Sequence, residues 1–180
     1  MTVTGRAQRL RLAKPAVLAL GSNLGDRVAI LRGALDVLRH HPDIQIRAVS
    51  PFYQTPALKL TGISLTAPAY LNAVALVDTR LDPEGLLSAV GQVENEFGRV
   101  REERWGDRTL DIDIIDFDGH LSDDPHLTLP HPRAHERAFV LVPWNDIDPH
   151  ATLVGVDSVA ELMKRVSDPM TRFCDLGEPQ

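Results

Sequence analysis

The sequence predicts an α+β fold: a ferredoxin-like βαββαβ core, helices on one face of an antiparallel sheet, with C-terminal additions. Three observations lead there. Short apolar or alternating segments and two segments of helical apolar spacing follow one another in that order. Both helical segments carry start signals, at Asp26 and at Asp82-Pro83. The chain of 180 residues, 43% hydrophobic, has the size and apolar content of one domain with a sizeable core.

The first strand is the apolar run Ala16 to Leu20, which ends in the turn residues Gly21-Ser22-Asn23. After the cap Asp26, the apolar residues Ile30, Leu31, Ala34, Leu35 and Leu38 fall on one helical face, and His41-Pro42 stops the helix. Ile44, Ile46 and Ala48 alternate with polar residues, as do Leu71, Ala73, Ala75 and Val77, so both segments read as strands. A long loop, 51–69, is expected between them. The second helix opens at Asp82-Pro83, carries Leu86, Val90, Val93 and Phe97 as its stripe, and ends at Gly98. Leu110, Ile112 and Ile114 then alternate with Asp111 and Asp113, and Asp118-Gly119 makes a turn. Beyond lie an irregular Pro/His-rich segment, an expected strand from Phe139 to Val142, and a short helix opened by the capping box Ser158 to Glu161.

The expected organisation is a basic N-terminal arm over 1–14, a single domain over 15–168 and a tail over 169–180. The arm holds Arg6, Arg9, Arg11 and Lys14 with no apolar segment following, unlike a secretory signal. The net charge of −6 argues against a general nucleic-acid or membrane-surface binder, because such proteins usually carry a basic excess. Any anion site must be local. The one cysteine, Cys174, cannot form an internal disulfide, and no apolar stretch approaches the ~20 residues that span a bilayer, so the cytoplasm is the expected location.

The chemistry concentrates in GRVREERWGDRTLDIDI, residues 98–114. On a strand, Asp111 and Asp113 project to one face, where two close carboxylates suit a hard, oxygen-seeking cation such as Mg²⁺. Taken alone, a D-x-D pair is better read as a solvated strand face. Arg99, Arg101, Arg104 and Arg108 precede it in a loop whose Gly98 and Gly106 permit unusual backbone angles, and guanidinium forks match phosphate oxygens. Surface ion pairs with Glu102, Glu103 and Asp107 are the competing reading. Arginine as the sole cation, leading directly into paired acids, favours a Mg²⁺-polyphosphate site.

No G-x-x-x-x-G-K-[ST] loop is present, and Gly21-Ser22-Asn23-Leu24-Gly25-Asp26 is not G-x-G-x-x-G. Its backbone could line a ligand pocket or simply turn the chain and cap the helix. His131 and His135 stand four apart, but Pro132 between them and the absence of a nearby cysteine argue against zinc. His131 and Arg137 are read as further phosphate or nucleotide contacts, with a solvent-exposed turn as the alternative.

GSNLGD at 21–26, FYQTP at 52–56, YLNAV at 70–74, the run 98–114 and LPHPRAHERAFVLVP at 129–143 occur in that order. In these motifs, over about residues 15–150, the chain resembles the 6-hydroxymethyl-7,8-dihydropterin pyrophosphokinases of folate biosynthesis. The resemblance implies transfer of the β,γ-pyrophosphoryl unit of ATP to the pterin hydroxymethyl oxygen, with release of AMP. It implies two Mg²⁺ ions on Asp111 and Asp113, and Arg99 and Arg108 approaching the phosphates from mobile loops. Arg101, Trp105, Ile114, His131 and Arg137 would help form the nucleotide site, bordered by Glu94. Tyr70 and Phe139 would stack on the pterin, with Asn72 and the Thr55-Pro56 backbone reading its amide-like edge. Ala67 stands before Pro68 where this family commonly has glutamine.

Two other readings compete. The element order is also that of an RNA-binding RRM, although Asp111 and Asp113 stand where that module needs aromatics. A Mg²⁺-dependent nucleotidyl or phosphoryl transferase with another substrate would keep the same charged run. AMP as product separates these from a pyrophosphokinase.

Overall fold

The computed structural model describes residues 12–59, 62–64, 68–98 and 109–173. At the heart of its sheet lies β1 (Lys14–Ser22), flanked by β6 (Tyr70–Thr79) and β7 (Asp111–Phe117), both antiparallel to it. The far edge of β6 is shared by β2 (Ile44–Val49) and β3 (Tyr53–Thr55). Alternation divides β1 between two cores: Ala16, Leu18 and Leu20 face one side, Val17 and Ala19 the other.

The first core lies under α1 (Arg27–His40) and α2 (Pro83–Glu96). Leu31, Ala34, Leu35 and Leu38 form the buried stripe of α1, and Leu86, Ala89, Val90 and Val93 that of α2. Each helix starts where an aspartate can satisfy a free N–H. Asp26 accepts from the Ala29 amide at 3.0 Å, and Asp82 from Gly85 at 2.9 Å. Gly98, at φ 74°, follows α2 in the left-handed conformation that suits a helix end. This is the expected βαββαβ core with both helices on one face.

Two expectations need correction. The segment 51–69 is not simply a loop, since it contains β3 and a hairpin of β4 (Ala57–Lys59) and β5 (Gly62–Ser64). Strands of three residues are too short to declare a period. Phe139 to Val142 is not a strand but part of α3 (Ala138–Ile147). A short apolar run cannot distinguish a buried strand from a buried helix. Here Asp168 settles the helix start by accepting the Ala138 amide at 3.1 Å.

The C-terminal additions cover the second face. The irregular segment contains the hairpin β8 (Ser122–Asp124) and β9 (Leu127–Leu129), reached through the expected turn at Asp118 and Gly119, φ 51° and 64°. Beyond α3 come the small hairpin β10 (Thr152–Leu153) and β11 (Asp157–Ser158), then α4 (Val159–Met163). Ser158 caps α4 by accepting from Glu161, as the capping box predicts. Val140, Leu141, Trp144, Val159 and Leu162 pack with Val17, Val74 and Ile115 into the second core. Finally β12 (Thr171–Arg172) pairs with β3, so the main sheet reaches past residue 168. Most of the expected basic arm, residues 1–11, lies outside the described residues, as does Cys174.

Candidate active site

Register brings the separate motifs together. Tyr53 pairs with Asn72, Asn72 with Gly21, and Gly21 with Asp111, a row across β3, β6, β1 and β7. The next row along contains Val74, Ala19 and Asp113. On the other side Thr55 pairs with Tyr70. Because side chains alternate between faces, all these residues project to the face that carries α3. That face therefore joins the expected pterin readers to the expected metal acids.

Asp111 and Asp113 are half-buried, as the strand period predicted, while Leu110, Ile112 and Ile114 enter the first core. The Ile114 side chain thus points away from the acids, and only its backbone can serve a ligand on their face. Two cationic or potentially cationic groups from the C-terminal segment approach Asp113 Oδ2. Arg137 Nη1 lies 3.5 Å away and His131 Nε2 3.7 Å away. The His131 amide donates to the Ile115 carbonyl at 2.8 Å, which ties this segment to β7. Burial lowers the pKa of the His131 imidazole, and the nearby Asp113 charge opposes that shift. Arg137, just before α3, stands 5.5 Å from the Phe139 ring centre, so the start of α3 brings a cation and an aromatic to one place.

His135 faces elsewhere. Its Nε2 is 3.6 Å from Glu136, while His131 Nδ1 accepts from the Arg133 amide. Among the described residues no group of three or more His, Cys, Asp or Glu side chains is placed to hold a metal ion.

Glu94 has a clear structural partner. It is only 4% exposed, and its Oε1 accepts the Ile112 amide at 2.8 Å. Among the described residues β7 is the last strand of the sheet on this side, so an outward N–H there needs an acceptor from elsewhere. Glu94 supplies it between the two acids. Glu94→Ala should cost about 1–3 kcal/mol, the usual penalty for a buried unpaired donor, while Glu94→Gln should recover much of that loss. Urea unfolding checks this, and an Ala variant as stable as the parent would contradict it.

On the opposite flank, Asn72 is buried and its Nδ2 donates to Thr55 Oγ1 at 2.9 Å. Tyr70 stands beside it on the same face, and Pro56 follows Thr55 at the end of β3. The Tyr53 hydroxyl donates to Asp146 of α3 at 2.5 Å, tying the strand of Thr55 to the helix of Phe139. Burial first, and then this hydrogen bond, push the Tyr53 pKa up to about 12, so the phenol remains a donor at neutral pH. Arg27, at the start of α1, donates to the Ala69 carbonyl at 2.6 Å, bracing the chain just before Tyr70.

Tyr53, Asp146, Arg27 and Asp168 escaped the sequence reading. The alternation of Tyr53 with Thr55 within FYQTP was a usable signal for the first. Nothing in the sequence marks the others, because each depends on packing between distant segments. Arg99, Arg101, Arg104, Trp105 and Arg108 lie outside the described residues.

Comparison with known proteins bears on the family. Residues 17–149 match the family model of 7,8-dihydro-6-hydroxymethylpterin-pyrophosphokinase. Among curated relatives, the 2-amino-4-hydroxy-6-hydroxymethyldihydropteridine pyrophosphokinase of Methylorubrum extorquens is 42% identical, over 86% of this chain and 94% of its own. The enzyme of that name from Haemophilus influenzae is 38% identical, over 85% and 93%.

Solved structures extend the likeness to the fold. A Plasmodium falciparum HPPK-DHPS triple mutant with pteroate superposes with TM-score 0.67 at 17% identity, over 88% of this chain. The match spans only 42% of that longer chain. A related HPPK-DHPS structure with STZ-DHP gives TM-score 0.68 at 14% identity, over 87% of this chain and 46% of the other. With its fold, the order of its motifs and close relatives along most of its length all in agreement, the chain belongs to the 7,8-dihydro-6-hydroxymethylpterin-pyrophosphokinase family.

Proposed function

We propose that this protein transfers the β,γ-pyrophosphoryl unit of ATP to the hydroxymethyl oxygen of 6-hydroxymethyl-7,8-dihydropterin, in folate biosynthesis. The observation that supports the reading is the row Asn72, Gly21, Asp111, which brings Asn72, the proposed amide reader, and Asp111, the proposed metal ligand, to one face. The pterin oxygen attacks the β-phosphorus, the bond from that phosphorus to the α,β-bridging oxygen breaks, and AMP leaves. The hydroxyl gives up its proton to surrounding water as the new O–P bond forms. Positioning and charge neutralisation are the main work left for the protein.

Tyr70 and Phe139 stack on the pterin, while Asn72 and the Thr55-Pro56 backbone read its edge. Asp111 and Asp113 hold Mg²⁺. Two carboxylates, without a third acidic, His or Cys ligand gathered among the described residues, fit an ion that completes its shell with phosphate and water. Bound there, the metal supplies Lewis-acid neutralisation of phosphate charge. His131, Arg137 and Glu94 border the nucleotide site, together with Arg101, Trp105 and the Ile114 backbone. Arg99 and Arg108 neutralise charge on the transferred group.

Asp111 and Asp113 would repel a nucleic-acid backbone, and the net charge of −6 adds to this, so nucleic acid is not a partner in this reading. No described helix is long and apolar enough to cross a membrane. We place the activity in the cytoplasm.

The metal assignment has a direct test. AMP release from ATP and the pterin should stop on chelation with EDTA and return with added Mg²⁺. A rate indifferent to EDTA would contradict it.

A further inference from the structure

Helices α1, α2 and α4 each open with a side-chain cap from the residue just before them, Asp26, Asp82 and Ser158. Helix α3 does not. Its N-cap position belongs to Arg137, whose guanidinium can only donate and lies 3.5 Å from Asp113 Oδ2. A side chain turned toward the acids in this way cannot also accept the first free amide of the helix. That amide, on Ala138, is instead satisfied from 30 residues further along the chain, by Asp168 Oδ2 at 3.1 Å. The carboxylate also stands at the positive end of the helix dipole.

Asp168 is exposed, yet the chain on either side of it is held. Val166 packs against the second core, while Thr171 and Arg172 pair with Gln54 and Tyr53 of β3. The Phe173 amide continues this attachment by donating to the Phe52 carbonyl at 2.8 Å. The far end of α3 returns to the same strand, where Asp146 accepts from the Tyr53 hydroxyl. Contacts therefore run in a closed ring, from β3 through β12 and Asp168 to α3 and back to β3. Asp168 is the link at the end of α3 that carries Arg137 and Phe139, and it lies beyond residues 17–149 that match the family model. We propose that Asp168 is a positioning residue: by capping α3 from the C-terminal segment, it fixes the first turn of the helix, and with it Arg137 beside Asp113 and the Phe139 ring that stacks on the pterin. The inference rests on the pyrophosphokinase reading and adds to it a residue that acts through Phe139.

Asp168→Ala tests it. Without the cap, the first turn of α3 is ordered in a smaller fraction of molecules, and apparent affinity falls by that fraction. KM for the dihydropterin should rise about fivefold while kcat at saturation stays within about twofold, because bound substrate selects the ordered turn. Asp168→Asn keeps an acceptor oxygen in the same place and should recover most of the affinity. In a Phe139→Ala background, Asp168→Ala should have little further effect on pterin affinity, since its route of action is already removed. A pterin KM equal to the parent's would overturn the proposal. So would a fall in kcat alone, the result of losing folded protein, or full additivity with Phe139→Ala.

Hydrogen exchange in the parent chain checks the cap without relying on a variant to fold. A first-turn amide that lacks an acceptor exchanges rapidly, so exchange at Ala138 should be slow, and exchange at the unprotected rate would overturn the cap. A parent chain that does not bind the pterin would instead defeat the functional reading itself.

Discussion

Asp113→Ala should abolish AMP formation, lowering the rate by at least about 10²–10³-fold, while leaving the fold intact. The carboxylate is one of the two acids on the face of β7, and it is also the one that Arg137 and His131 approach. Its removal therefore takes away a metal ligand and leaves two nitrogen groups without their shared anion. The side chain is about a third exposed, at 35%, so the loss of packing is small and unfolding should not be the cause. Asp113→Asn separates charge from shape, since the amide fills the same space but binds Mg²⁺ poorly, and should be nearly as damaging. Steady-state release of AMP, beside a thermal melt, checks both variants. Wild-type-like turnover in either would remove Asp113 from the metal site.

Asn72→Ala should lower kcat/KM for the pterin by about 10²-fold or more, with Mg²⁺-ATP affinity little changed. Asn72 is only 5% exposed and is held by its bond to Thr55 Oγ1, so its remaining hydrogen-bonding groups are presented in one orientation. A buried amide reader discriminates strongly because a ligand that loses it must leave its own polar edge unpaired. Titration of each substrate separately is the check. If ATP binding fell as much as pterin binding, Asn72 would be supporting the whole sheet end rather than reading the pterin.

The core of the fold was legible because its segments are long enough to show a period. In α1 and α2 the stripes recur at helical spacing between an aspartate cap and a clear stop, and Leu110, Ile112 and Ile114 alternate without a break with Asp111 and Asp113. Alternation alone also put Asp111 and Asp113 on one face. What failed was short or dependent on distant partners. The strands β3, β4 and β5 are too brief to signal themselves, and AFVLV reads equally well as a strand until Asp168 caps it as a helix.

The site was legible in part through its motifs, but their assembly required strand register. Nothing in YLNAV or GSNLGD taken singly says that Asn72 and Gly21 are neighbours, or that Asp111 lies next across. The bond from Tyr53 to Asp146 joins residues 93 apart, and no local pattern encodes such a pair. Chemistry confined to one strand could be read early, whereas chemistry shared among strands could not.

In the proposed reaction one sheet face brings the pterin hydroxyl to the β-phosphorus of ATP. It is tested most directly by following an isotopic label at the β,γ-bridging oxygen of ATP by mass spectrometry. With Mg²⁺ and hydroxymethyl-dihydropterin, the products should be unlabelled AMP and a pterin diphosphate that retains the bridging label. ADP with a pterin monophosphate, or AMP with free pyrophosphate and unmodified pterin, would contradict it.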